Sequence, residues 1–146
     1  SVSNVIPDTA NLSMSIRSFS PEVRQCLEQR IKDLATAQVT SFGGEVEIVY
    51  ERGYPVVINS AAETDFARQV AVELVGEAKV ISPFGPVTGS EDFAYYLQHK
   101  PGCFLRLGNG ADSALLHNPK YDVNDQNLSY GAAYWTRLVE RFLEAH

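Results

Sequence analysis

The pattern of apolar and polar positions predicts two long helices in the first half of the chain. The first begins at Ser20, a capping residue, followed directly by the proline that suits the first helical position. Its apolar residues recur every three or four positions, as on one helix face, until the glycine pair at 43–44 ends it near residue 41. The second helix starts at Ser60, the first residue of a capping-box pattern, and ends before Gly76.

Two further helices and one long loop are predicted in the second half. A short helix begins at Ser90, with acidic residues in its first turn, where they suit the helix dipole. A long amphipathic helix occupies residues 128–145, and its inward face is predicted to consist of Ala132, Trp135, Leu138, Val139 and Phe142. Residues 108–127 form a polar loop between these helices, and its length indicates a functional role.

Alternating apolar and polar residues predict strands around and between the helices. The pattern is present in residues 2–17, 45–51 and 103–107, and more briefly in residues 79–81. Together with the helices, these strands predict an α/β (α+β) fold whose N-terminal part runs strand–helix–strand.

Composition argues against several classes of function. The net charge is −6, whereas surfaces that bind nucleic acids or anionic membranes need a basic face. The two cysteines are too few for a disulfide scaffold and fit a reducing compartment. No apolar run reaches the roughly 20 residues of a membrane span. We therefore expect a cytoplasmic protein with no nucleic-acid and no membrane partner. Because the first methionine is Met14, the chain reads as the interior of a larger protein.

Few residues are candidates for chemistry. His117 lies in the polar loop directly after apolar residues, either as a metal ligand or as a capped loop histidine. Arg17 ends an alternating segment, where its guanidinium would either bind a carboxylate or remain a solvated charge. Gly89 and Ser90 offer backbone N–H groups at a predicted helix start, which would bind an anion or simply cap the helix. A hydrolytic metal site needs about three protein ligands, so these residues alone leave the alternatives open.

Several short motifs occur in an order that resembles a known family. They are Asn4-Val5-Ile6-Pro7-Asp8 followed by Arg17, then Gly89-Ser90-Glu91-Asp92-Phe93, Pro101-Gly102, Gly108-Asn109-Gly110, and His117-Asn118-Pro119 with Tyr121-Asp122. As a set they resemble the C-terminal part of the metal-dependent aminoacylase/carboxypeptidase-G superfamily. Within it, the chain is most similar to the branch of hippurate hydrolases and indole-acetyl-amino-acid hydrolases. The resemblance covers nearly the whole chain.

The resemblance implies a domain organisation and a cofactor. Residues 1–58 correspond to the second half of a ferredoxin-like lid domain, strand–helix–strand, which also forms a homodimer. Residues 59–146 correspond to the C-terminal segment of an α/β catalytic domain that holds two divalent metal ions. The ions implied are zinc, manganese or cobalt.

The resemblance also implies roles for five residues. His117 matches the family's last metal ligand. Asn4 and Arg17 match the pair that binds the carboxylate of the substrate, and Gly89 and Ser90 match the loop that contacts the same end of it. The family's catalytic base and its other metal ligands lie N-terminal to every position matched here, so we assign no catalytic residue.

Three functions follow as hypotheses from different classes. We expect a portion of a metal-dependent amidohydrolase that cleaves the amide bond of small N-acyl or N-aroyl amino acids, as in hippurate, and that is inactive as this chain alone. The alternative is a non-catalytic dimerisation or ligand-binding module, which would dimerise through residues 2–17. An acidic ligand-sensing domain would fit the N-terminal part of the chain but would leave the loop around His117 without a purpose.

Overall fold

Helices make up the regular structure of the described part of this chain. The computed structural model describes residues 4–144, and these form four α-helices with a 3-10 turn at Glu77–Lys79. The helices are α1 Pro21–Ser41, α2 Ala61–Val75, α3 Phe93–Leu97 and α4 Gln126–Glu144. The chain divides into two units, Ser1–Arg52 with α1 and Gly53–His146 with the other helices. None of the described helices is long and apolar enough to cross a membrane.

The predicted α/β (α+β) fold is wrong for the described part of the chain, which contains no strand and no sheet. Residues 45–51, 79–81 and 103–107 lack strand pairing, and so do residues 4–17 of the predicted first strand, whose residues 2 and 3 lie outside the described range. Alternation determines only which side chains share a face of an extended backbone. A strand also needs a neighbour that pairs with it through a ladder of main-chain hydrogen bonds.

One place shows why such a ladder does not develop. The Ser60 N–H donates to the Gly102 carbonyl at 2.9 Å, as neighbouring strands do. The next contacts come from a side chain, because Asn59 Oδ1 accepts from the Phe104 N–H at 2.8 Å and Asn59 Nδ2 donates to the Phe104 carbonyl at 2.8 Å. An asparagine amide thus takes the main-chain bonds of Phe104 that a paired strand would use.

Helix α1 forms from local signals. Ser20 Oγ accepts from the Val23 N–H at 3.2 Å, and Pro21 occupies the first helical position. At the other end, Gly43 adopts a φ of 73°, a conformation that costs glycine little, and its N–H donates to the Thr40 carbonyl at 2.9 Å. The predicted start and end of this helix are therefore confirmed. None of its residues is buried.

Charged contacts hold the segment after α1 against that helix. Glu28 accepts from Lys32 Nζ at 2.6 Å and from Arg52 Nη2 at 2.7 Å. Lys32 Nζ also lies 5.4 Å from the ring centroid of Tyr50. The hydrogen bonds from Lys32 and then from Arg52 lower the pKa of the Glu28 carboxyl below its ordinary value.

The second unit has few buried side chains, and among its α-helices α2 packs against α4. Its buried side chains are those of Ala67, Val70, Ala94 and Tyr134. The Tyr134 hydroxyl donates to the Ala67 carbonyl at 3.1 Å, which satisfies the polar end of a buried ring. Burial, followed by the nearby Cys103, raises the pKa of Tyr134 to about 12.

The predicted inward face of α4 is wrong for most of its residues. Trp135, Val139 and Phe142 are 62%, 52% and 50% exposed and Ala132 is exposed as well, whereas Tyr134, which was not predicted inward, is 8% exposed. The half-buried Leu138 lies four positions after Tyr134, on the same face. The physical reason is the hydroxyl of Tyr134, which reaches a main-chain acceptor on α2. The predicted end of this helix at Ala145 lies outside the described residues.

Candidate functional site

The loop that carries His117 is closed at its base by the side chain of Asn109. Asn109 Oδ1 accepts from the Asn124 N–H at 2.8 Å, and Asn109 Nδ2 donates to the Asp122 carbonyl at 2.7 Å. Residues 109–124 thus leave and return to nearly the same point, which is the arrangement of an Ω-loop. The predicted polar loop is confirmed, and the structure adds that its ends are joined.

Further polar contacts extend this closure to both sides. Asn109 Nδ2 also donates to Ser113 Oγ at 2.7 Å, inside the loop. Asn127, in the first turn of α4, donates through Nδ2 to the Gly108 carbonyl at 3.1 Å and to Asn109 Oδ1 at 3.3 Å. The base of the loop is therefore fastened to the start of a long helix.

His117 lies in a turn away from the base of the loop. Its φ is 69°, in the left-handed region that non-glycine residues rarely adopt. The Asn118 N–H donates to the Leu115 carbonyl at 3.1 Å across it. The side chain is exposed, and its imidazole forms no hydrogen bond with any residue between 4 and 144.

The donor set decides how far a metal site can be built from this chain. An exposed imidazole without a hydrogen-bond partner among the described residues fits the role of one nitrogen ligand. Residues 4–144 contain no group of three or more His, Cys, Asp or Glu side chains that could hold a metal ion. His117 therefore fits as a single donor, and the described residues do not complete a site around it.

The structure corrects the prediction that a helix begins at Ser90. Helix α3 begins at Phe93, and Asp92 stands at the cap position without a side-chain capping bond. Glu91 Oε1 accepts the Phe93 N–H at 3.2 Å, so a carboxylate already takes the amide that a bound anion would need. Ser90 and Gly89 are exposed and lie in the segment before the helix.

Arg106 lies beside Gly89 in the folded chain. Its guanidinium carbon is 5.9 Å from the ring centroids of both Phe84 and Phe104. A Cβ added at Gly89 would lie 3.9 Å from Arg106 Nη2. No sequence signal marks this pairing, because the two residues come from different segments of irregular backbone.

The five predicted site residues are distributed over both units. Asn4 and Arg17 belong to the first unit, where both are exposed, and Arg17 lies in irregular backbone shortly before α1. Gly89, Ser90 and His117 belong to the second unit. Their predicted roles in substrate and metal binding stay predictions.

Comparison with known proteins identifies the family. The profile of Peptidase family M20/M25/M40 matches residues 4–141. The chain belongs to this family. Membership confirms the resemblance drawn from the ordered motifs, which includes hippurate hydrolases and indole-acetyl-amino-acid hydrolases.

Three curated relatives illustrate this membership. Hippurate hydrolase of Campylobacter jejuni is 33% identical over 141 residues, which cover 97% of this M20/M25/M40 chain and 37% of the relative. The N-acetyl-L-cysteine deacetylase of Bacillus subtilis is 30% identical over 143 residues, which cover 98% of this chain and 33% of the relative. The IAA-amino acid hydrolase ILR1-like 4 of Arabidopsis thaliana is 32% identical over 148 residues, which cover 96% of this chain and 33% of the relative. The chain thus spans about a third of the length of these relatives. No solved structure gives a significant match.

Proposed function

We propose that this chain is part of a metal-dependent amidohydrolase that cleaves the amide bond of small N-acyl or N-aroyl amino acids. The support comes from family membership together with the names of the relatives: a hippurate hydrolase, an N-acetyl-L-cysteine deacetylase and an IAA-amino acid hydrolase. Each of these names describes removal of an acyl group from an amino acid. In this proposal residues 1–58 belong to a dimerisation domain and residues 59–146 to the catalytic domain.

His117 is the metal ligand of this chain. The observation that carries the assignment is its exposed imidazole, which makes no hydrogen bond to a described residue and lies on a loop whose base is tied by Asn109. A neutral imidazole is a ligand suited to zinc, manganese or cobalt. When bound, two such ions supply Lewis acidity at the amide carbonyl and activate the attacking water.

Asn4, Arg17, Gly89 and Ser90 are the residues to which the family resemblance assigns binding of the substrate carboxylate. Arg17 offers a planar guanidinium, which pairs with a carboxylate through two parallel hydrogen bonds, and Asn4 offers an amide donor. Gly89 and Ser90 contribute a main-chain N–H and a hydroxyl for the same end of the substrate. Both pairs are exposed, as groups that receive a small molecule must be.

The 146-residue chain alone is expected to bind metal weakly and to hydrolyse nothing. The reason is the ligand count: His117 is one donor, and residues 4–144 do not assemble three. A hydrolytic metal needs further ligands and a general base.

The experiment measures metal content and hippurate hydrolysis in the intact protein that contains this chain. His117→Ala is expected to lose bound metal and at least about two orders of magnitude of turnover, since metal activation of water is a large part of such catalysis. The matched control is His99→Ala, which removes an exposed imidazole just after α3. Full metal content and turnover in His117→Ala would refute the assignment.

A non-catalytic dimerisation or ligand-binding module is the second candidate. The observation that favours it is the incomplete metal donor set among residues 4–144. It predicts a homodimer that binds neither zinc, manganese nor cobalt. Metal analysis of the intact protein separates the two functions, because both predict a homodimer and only the amidohydrolase requires metal.

A further inference from the structure

We infer that Asn109 is a positioning residue, which fixes the loop that presents His117 to the metal. This inference rests on the proposed function, since it assigns to Asn109 the task of holding a ligand. The family resemblance assigns no role in metal or substrate binding to the motif Gly108-Asn109-Gly110. The structure places its central side chain at the point where the loop closes.

Only an amide can make the contacts of Asn109. Its oxygen accepts from the Asn124 N–H, and its nitrogen donates to the Asp122 carbonyl and to Ser113 Oγ. A carboxylate would keep the acceptor and lose both donors, and an alanine would lose everything. The side chain thus satisfies two main-chain groups on the returning arm and one hydroxyl inside the loop.

The glycine that follows Asn109 supports the same function. Gly110 has a φ of +107°, which side-chain-bearing residues rarely adopt, so the chain can turn sharply directly after the anchoring asparagine. The Ser113 N–H then donates to the Gly110 carbonyl at 3.3 Å and brings the Ser113 hydroxyl back to Asn109.

Polar closure matters here because the loop has little apolar packing around its histidine. Leu115 is 82% exposed and Leu116 is 63% exposed, so neither side chain anchors the turn in a core. A flexible chain segment loses conformational entropy when its ends are joined. The side-chain hydrogen bonds at the base join the ends of this loop before metal binds, so metal binding need not order them. A ligand must be held within a few tenths of an ångström of its productive position, so release of the base would weaken metal binding.

The test compares four variants of the intact protein: Asn109→Ala, Asn109→Asp, His117→Ala and Asn59→Ala. Asn59 is the matched control, because its amide also bridges both main-chain groups of one residue, Phe104, in the same unit. Cobalt titration followed by visible absorption reports affinity and ligand geometry. Hydrogen exchange of a peptide that contains Asn124 reports whether the loop base is closed.

Asn109→Ala is expected to bind cobalt at least about tenfold more weakly, with an altered absorption spectrum and faster exchange at Asn124. Asn109→Asp keeps one acceptor and should fall between Asn109→Ala and the unmodified protein, and it keeps the test open if the alanine variant does not fold. Asn59→Ala should keep cobalt affinity and spectrum even where it lowers stability. If the role of Asn109 were merely structural, Asn109→Ala would keep them as well.

Two results would overturn the inference in distinguishable ways. If Asn109→Ala binds cobalt normally while His117→Ala does not, the positioning role is wrong and the proposed function stands. If His117→Ala itself binds cobalt normally, the metal assignment is wrong, and the inference falls with it.

Discussion

Each of the two units contains a long helix, α1 with 21 residues and α4 with 19, but the units differ in how much of their side chains they bury. Helix α1 of the first unit has 21 residues, and none of them is buried. The second unit contains every buried apolar side chain found among the described residues, on α2, α3 and α4. Capping and helical propensity therefore indicate where a helix lies, whereas a core depends on which partners the helix meets.

The contacts in the two units differ in kind as well. The first unit relies on charged contacts near its surface, such as those of the half-buried Glu28 with Lys32 and with the exposed Arg52, and such pairs contribute little in water. In the second unit, Val70 is fully buried and the Tyr134 ring packs with its hydroxyl satisfied. Substitutions should therefore be costly in the second unit and mild in the first.

The largest expected difference comes from the same substitution made in each unit. Val70→Ala removes two methyl groups from a fully buried position, and it should lower the free energy of unfolding by about 2 kcal/mol. Val23→Ala acts on a side chain that is 50% exposed and should change that free energy by less than about 0.5 kcal/mol. Chemical denaturation checks both. Equal costs would mean that α1 has a core of its own.

A smaller effect separates the units at alkaline pH. Folded Tyr134 keeps its proton up to a pKa of about 12, whereas the unfolded phenol ionises near 10.0, so its contribution is full below pH 10.0 and is lost as the pH rises towards 12. Tyr134→Phe should cost about 1 kcal/mol at neutral pH, through the lost bond to Ala67. Its deficit should shrink above pH 10, as measured by denaturation at several pH values. A constant deficit would show that the phenol does not titrate differently on folding.

The smallest effect tests local control of α1. Ser20→Ala removes the side-chain cap on the Val23 N–H and should cost about 1 kcal/mol or less, seen as reduced helicity by circular dichroism. Ser41→Ala is the matched control, because its hydroxyl donates to the Gln38 carbonyl at the other end of the helix and caps no N–H group. If both variants lose the same helicity, the cap is not what starts the helix.

The helices were predictable from the sequence because their start and stop signals are local. Which side chain would accept from the N–H groups at each helix start was not predictable. Ser60 stands before α2, but its hydroxyl accepts from the Gly102 N–H at 3.1 Å rather than from the helix. At α3, Glu91 takes the N–H of Phe93, which moves the helix start past Ser90. These contacts depend on segments that meet only in the folded chain or on a nearby rival acceptor.

The strands were not predictable for a similar reason. Alternation in residues 45–51 and 103–107 is a property of one segment, whereas strand pairing is a property of two. At Phe104 the main-chain groups are taken by the Asn59 side chain, a contact between positions far apart in sequence.

The role of His117 as a metal ligand stays a prediction, and the geometry of its loop was not predictable from the sequence. Motif order pointed to His117, and family membership supports the comparison that singled it out. Its left-handed backbone and the closure of its loop depend on Asn109 reaching Asp122 and Asn124, which no local pattern reveals.

Anomalous diffraction from crystals of the intact protein loaded with zinc tests the assignment of His117 most directly. We expect a zinc ion at about 2.0–2.1 Å from an imidazole nitrogen of His117, with Asn109 still bonded to the Asn124 N–H. Zinc bound elsewhere, with the His117 side chain in solvent, would contradict it.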